Sequence, residues 1–141
     1  MTKSIQPITV TTTIHAPIEK VWSAWTTPAD IMQWNSASED WHTPHAENDL
    51  RVGGQFSSRM ESKDGQYGFD FGGVYDVVDT HKRIAYTLGD ERRVQVDFES
   101  DGDNTIVTET FDAESENAIE LQRSGWQAIL DNFKKHVENK S

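Results

Sequence analysis

A strand-like run, a helical pair rich in tryptophan and a double glycine follow one another in the first third of this chain, and that order narrows the fold more than any other feature. Ile8-Thr9-Val10-Thr11-Thr12-Thr13-Ile14 alternates apolar and polar side chains, the period of a half-buried strand. Ala16-Pro17 then opens a helix whose Ile18, Val21, Trp22 and Trp25 share one face. Pro17 suits a first helical turn, where no backbone donor is needed. Pro28-Ala29-Asp30-Ile31-Met32-Gln33-Trp34 reads as a second short helix after a break at Thr26-Thr27. Residues 35–47 are polar and irregular and read as a loop, and Asp49-Leu50-Arg51-Val52-Gly53-Gly54 closes the passage.

From residue 48 the period changes to two. Gly54, Phe56, Ser58 and Met60 alternate with polar neighbours, and Lys63-Asp64-Gly65-Gln66 supplies a tight turn. Phe69, Phe71, Gly73, Tyr75 and Val77 make one face of the next run; Ile84, Tyr86 and Leu88, then Val94, Val96 and Phe98, continue the pattern, and Thr105 to Phe111 completes it. Short polar turns, Gly89-Asp90 and Asp101-Gly102-Asp103-Asn104 among them, join these runs and argue an antiparallel meander. Gly53-Gly54 and Gly72-Gly73 lack the Lys-Ser or Lys-Thr of a phosphate loop and read instead as bends that let a sheet curl.

The chain closes with a long amphipathic helix. Ser115 is placed to cap it and Glu116 to meet its dipole. Ile119, Trp126, Ile129, Leu130, Phe133 and Val137 form its stripe, and Lys134, Lys135 and His136 lie where positive charge favours a C-terminus. Gly125, beside Trp126, predicts a close backbone approach or a slight bend. A twisted antiparallel sheet must bury such a stripe on its concave face. The expected fold is therefore α+β, a helix grip in β-α-α-β-β-β-β-β-α order, with six to seven strands wrapped around the C-terminal helix. All 141 residues fit one domain.

Composition limits the function. A net charge of -11 with no basic cluster repels phosphate backbones and anionic lipid, so neither nucleic acid nor a membrane surface is an expected partner. The absence of cysteine removes disulfides, thiolate metal sites and thiol nucleophiles, and suits a reducing cytoplasm. No apolar stretch approaches a signal peptide or a membrane span. Five tryptophans, six phenylalanines and three tyrosines supply the core's bulk, and flat rigid rings tile poorly enough that an internal gap is plausible.

Trp22 and Trp25, at helical spacing, read as packing residues. Trp34, Trp41, Phe56, Phe71, Tyr75, Tyr86, Trp126, Ile129 and Phe133 come from elements that face each other across a grip, and either line a ligand cavity or fill a core. Ser58 is either a polar group in that wall or a surface serine. His42-x-x-His45-x-Glu47 has metal-ligand chemistry but a loop-like, proline-containing setting, so no metal is expected. Asp70 and Asp76 fall opposite Phe71 and Tyr75 and should face solvent. Glu109 sits in a run apolar on both faces; pointing inward, its pKa would rise and it would become a ligand anchor or proton-transfer group. No nucleophile elbow or triad is present.

The ordered set Val21-Trp22-x-Ala24-Trp25-Thr26-x-Pro28, Trp34, Asp49-Leu50-Arg51-Val52-Gly53-Gly54, Gly73-Val74-Tyr75, Arg83-Ile84 and Gly125-Trp126 resembles the heat-shock protein 90 ATPase activator homologue-like family. That family belongs to the START-like, birch-pollen-allergen-like (SRPBCC) superfamily. The resemblance runs from about Ile8 to Val137. It implies a helix grip with an internal cavity, in a superfamily that includes binders of lipids and other apolar small molecules, polyketide cyclases and a co-chaperone's C-terminal domain. It transfers no catalytic set and no cofactor. The chain also has no room for the extra N-terminal domain with which such activators grip a chaperone. The expected function is thus a non-enzymatic holder of an apolar, lipid-like or aromatic small molecule. A cyclase or hydratase and a chaperone-interacting module stand as the alternatives.

Overall fold

The computed structural model describes residues 7–36, 38–115 and 117–139. The elements follow as β1 (Pro7–Ile14), α1 (Ile18–Thr26), α2 (Pro28–Trp34), β2 (Trp41–Asn48), β3 (Gln55–Ser62), β4 (Gly68–Asp79), β5 (Arg83–Leu88), β6 (Arg93–Asp101), β7 (Asn104–Asp112) and α3 (Ile119–Asn139). Seven antiparallel strands form one curled half-barrel in the order β1-β7-β6-β5-β4-β3-β2. Consecutive strands β2 to β7 pair as a meander, while α1 and α2 carry the chain from one edge strand, β1, to the other, β2. The long helix α3 lies in the grip, packed on β1 and against α1 and α2. Among the described residues no helix is long and apolar enough to cross a membrane.

Alternation sets the inner face. Ile8, Val10 and Ile14 of β1, Val94, Val96 and Phe98 of β6, and Val107 and Phe111 of β7 are buried together with Leu130, Phe133 and Val137 of α3. Trp22 packs edge-on against Phe98, their ring centroids 5.2 Å apart. The Trp34 indole donates to the Ala24 carbonyl at 3.0 Å, fixing α2 against α1. A side-chain contact of 2.8 Å between His136 Nε2 and Asp30 Oδ1 ties α2 to the end of α3.

Four expectations are corrected. Residues 41–47, read as loop, form with Asn48 the edge strand β2; its register shifts between His42 and His45, so Thr43 and Pro44 stand against Met60 alone. A proline is tolerated there because an edge strand and a bulge both excuse the missing donor. A second shift between Tyr75 and Val77 turns Val77 outward and brings Val78 opposite Ile84, because one extra residue flips every later side chain. The long helix begins at Ile119, so Ser115 is not its cap, and Glu116 lies outside the described residues. Gln122 organises that end instead: its amide oxygen accepts from the Glu114 N–H at 2.9 Å and its amide nitrogen donates to the carbonyls of Glu114 and Asn117.

The fourth concerns Gly125, which has no close neighbour: a Cβ there would meet open space. Gly125→Ala is therefore expected to stabilise the chain by about 0.5–1 kcal/mol through helix propensity alone, measured as a higher urea midpoint with an unchanged m-value. Gly73 is the opposite case. Its missing Cβ would lie 2.3 Å from the Thr87 carbonyl oxygen, an approach that only glycine allows.

Candidate functional site

The grip is not filled. A cavity of about 280 Å³ lies between α3 and the β3–β5 part of the sheet, closed at one end by α1 and α2. From β3 come Phe56, Ser58 and Met60, from β4 Phe69, Phe71 and Tyr75, and from β5 Ile84 and Tyr86. Trp126 and Ile129 project from α3, while Trp25, Ile31 and Trp34 close the helical end. Exposed Glu47 and Phe69 and half-buried Asn35, Asn48 and Arg92 mark where the wall meets solvent.

The wall is an interlocked set of rings. Phe56 sits between Tyr75 and Tyr86 at centroid distances of 5.2 and 4.6 Å. Trp126 stacks on Phe111 of β7 at 3.8 Å with an 11° interplanar angle. Trp126 also meets Phe71 edge-on, with ring centroids 6.2 Å apart. Aromatic contacts of this kind add about 0.5–1.5 kcal/mol beyond area burial, so the chamber is bounded by rigid side chains.

Of the ten residues singled out in the sequence, the cavity brings together Trp34, Phe56, Ser58, Phe71, Tyr75, Tyr86, Trp126 and Ile129. It does not include Trp41 or Phe133. Trp41, on edge strand β2, lies 5.9 Å from the Phe69 ring and borders a shallow surface depression with Met32 and Lys135. Phe133 is 0% exposed and packs edge-on against both Trp25 and Trp34 at 4.8 Å, in the solid end of the grip. Trp25, read as packing, borders the cavity as well. Its signal was its place in the last turn of α1, three residues beyond Trp22.

Polar groups enter this apolar chamber at few places. The Tyr75 hydroxyl donates to Asn48 Oδ1 at 2.5 Å, and Asn48 donates onward to the Thr26 carbonyl at 2.7 Å. Glu109 of β7 does point inward, 4% exposed, flanked in register by Val10 and Val96. Burial alone pushes its carboxyl up to about 8. Burial also raises the Tyr86 hydroxyl above its ordinary value, with further rises from the Glu109 charge and from Tyr75. The Tyr75 hydroxyl rises as well, through burial and against the opposing pull of Asn48.

Elsewhere the candidates fall away from the chamber. Asp70 and Asp76 face solvent. His42 approaches Glu61 at 3.9 Å and His45 approaches Glu47 at 3.1 Å, on an exposed strand. Among the described residues no group of three or more histidine, aspartate or glutamate side chains is arranged to hold a metal ion.

A family model described as Activator of Hsp90 ATPase homolog 1-like protein matches residues 15–138. The solution structure of an AHSA1-like protein from Aeromonas hydrophila is 46% identical, with 94% of this chain and 92% of that chain covered and a TM-score of 0.89. A solution structure from Cytophaga hutchinsonii is 55% identical over 94% of this chain and 92% of that one, with a TM-score of 0.82. A crystal structure from Nitrosomonas europaea, at 17% identity with 96% of each chain covered and a TM-score of 0.83, shares the fold. No curated protein matches the chain.

Proposed function

We infer that this chain, which belongs to the Activator of Hsp90 ATPase homolog 1-like family and has its SRPBCC helix-grip fold, holds an apolar small molecule in the cavity between sheet and α3. The reading rests on one observation, the aromatic-walled chamber of about 280 Å³. A pocket of that size, mostly apolar with a few placed polar groups, has the character of a small-ligand site. Burial against Phe56, Phe71, Trp126 and Ile129 supplies affinity. Ser58 and the deeper polar groups orient the guest. The described chain acts as one START-like unit in this proposal, with no second element needed to complete the site.

Ligand binding is expected to raise Tm, since at about a hundredfold excess over Kd the folded state gains about 2.7 kcal/mol. It is also expected to change the tryptophan emission, because Trp25, Trp34 and Trp126 border the chamber. Thermal shift and fluorescence across a library of lipid-like and aromatic compounds check both. A library that moves neither would overturn the reading.

A second reading, an enzyme of cyclase or hydratase type, draws support from Glu109 and Tyr86. A buried carboxyl and a hydroxyl on a ligand wall are groups that proton transfer needs. Its test is turnover of a polyketide-like enone by the native chain and loss of that turnover in Glu109→Gln. Equal rates in the two, or none in either, would remove it.

A further inference from the structure

Four buried polar side chains border the cavity: Ser58, Tyr75, Tyr86 and Glu109. Tyr75 is already bonded to Asn48. Tyr86 and Glu109 make no hydrogen bond with any described residue, and neither side chain is sealed away from the chamber. Register places them close together. Glu109 lies in a cross-strand row with Val96 and Ile84, and Tyr86 lies in the next row with Val94 and Phe111. The electrostatic influence of Glu109 on Tyr86 agrees with that placement.

Polar tips that open onto the chamber and bond no protein atom are left to whatever occupies it. Here the missing partner has a definable chemistry. Val10 and Val96 flank Glu109 in the sheet, and α3 presents Trp126 and Ile129 to the chamber. The other titratable groups on the wall are Glu47, Tyr75, Tyr86 and Arg92. The Arg92 guanidinium is engaged by Asp90 at 2.7 Å, and no positive charge offsets the burial of Glu109. The Glu109 carboxyl is therefore mostly protonated at neutral pH. A protonated carboxyl and a phenol each offer an O–H donor. The wall thus holds two donors without a protein acceptor.

We propose that the cavity selects an apolar molecule carrying a hydrogen-bond-accepting oxygen, such as an aryl ketone, with that oxygen seated against the Glu109 carboxyl and the Tyr86 hydroxyl. The inference rests on the reading that the cavity holds an apolar guest, and adds the functional group that the guest must carry. An ammonium group over the aromatic rings is the competing occupant. It is disfavoured because it requires Glu109 to ionise where burial opposes charge, whereas a ketone uses the carboxyl in the form burial favours.

Three probes of matched size separate these cases by isothermal titration calorimetry: methyl naphthyl ketone, isopropylnaphthalene and naphthylethylamine. The ketone is expected to bind at least about tenfold more tightly than the hydrocarbon, the discrimination of a site built to bond an oxygen. That advantage should survive in Glu109→Gln, whose amide still donates, and shrink in Glu109→Leu and Tyr86→Phe. For the native chain it should fade as pH rises through about 8, where Glu109 gives up its proton, and stay level in Glu109→Gln. Equal binding of ketone and hydrocarbon would overturn the inference while leaving the apolar site standing. Tighter binding of the amine with proton release would overturn it in favour of a cation site. No binding by any of the three would overturn both.

Discussion

Glu109→Gln is expected to stabilise this chain at pH 9 by about 5 kcal/mol and to change little at pH 4. The native carboxyl keeps its proton in the folded state up to about 8, against an ordinary value of 4.5, while the unfolded chain has already released it. Through that window the folded state binds more protons than the unfolded state, so stability falls as pH rises. Each pH unit between the two values costs about 1.36 kcal/mol. Glutamine carries no titratable proton, so the gap between variant and native chain opens from about pH 4.5, widens to about pH 8 and then stays level. Urea midpoints measured across that range check it, since titrations elsewhere in the molecule cancel in the difference. A gap of constant size would mean that Glu109 titrates as an exposed carboxyl. A stability cost of this size, borne by a carboxyl set between Val10 and Val96, is what a functional group looks like.

Phe133→Ala carries the largest loss. The side chain is fully buried, with edge contacts to the rings of Trp25 and Trp34. Such truncations cost about 3–5 kcal/mol. Ile129, one turn earlier on the same stripe, already borders the chamber. Ile129→Ala enlarges an existing space and removes fewer contacts, so its cost falls at or below about 2 kcal/mol, the low end for such truncations. Denaturant unfolding of the two variants side by side tests where the solid end of the grip stops and the chamber begins. Equal losses would place both residues in one continuous core.

The partition between Ile129 and Phe133 shows where sequence pattern reaches its limit. A helical stripe assigns both to the inner face, and that assignment holds, but periodicity carries no information about depth along the axis. Phe133 extends past the chamber into the α1–α2 corner, where Trp25 and Trp34 meet it. The curled sheet, its meander and the C-terminal helix were legible because β1, β5, β6 and β7 alternate cleanly and polar turns separate the later strands. β2 was not legible. Trp41 to Asn48 is polar, holds Pro44 and bulges at an edge, so its strand character comes from pairing with β3 and not from its own pattern. Val77 and Val78 failed for a related reason, since a bulge is written in the register of two strands at once.

Glu109 was the residue that pattern alone left open. Apolar groups occupy both faces of its run, and only the pairing with Val10 and Val96 fixes its direction. Trp41 shows the converse: it shares the inner face with Ser62 and meets Phe69, yet it lies past the chamber and borders a separate depression beside α3.

Methyl-filtered NOE spectroscopy on the isotope-labelled chain with bound isopropylnaphthalene addresses the central claim most directly. A guest in the chamber should give cross-peaks to the methyl groups of Met60, Ile84 and Ile129, which border it, and none to Val21 or Val137, which are buried elsewhere in the core. Cross-peaks confined to exposed Val52 or Leu121, or their absence at saturating ligand, would contradict the account.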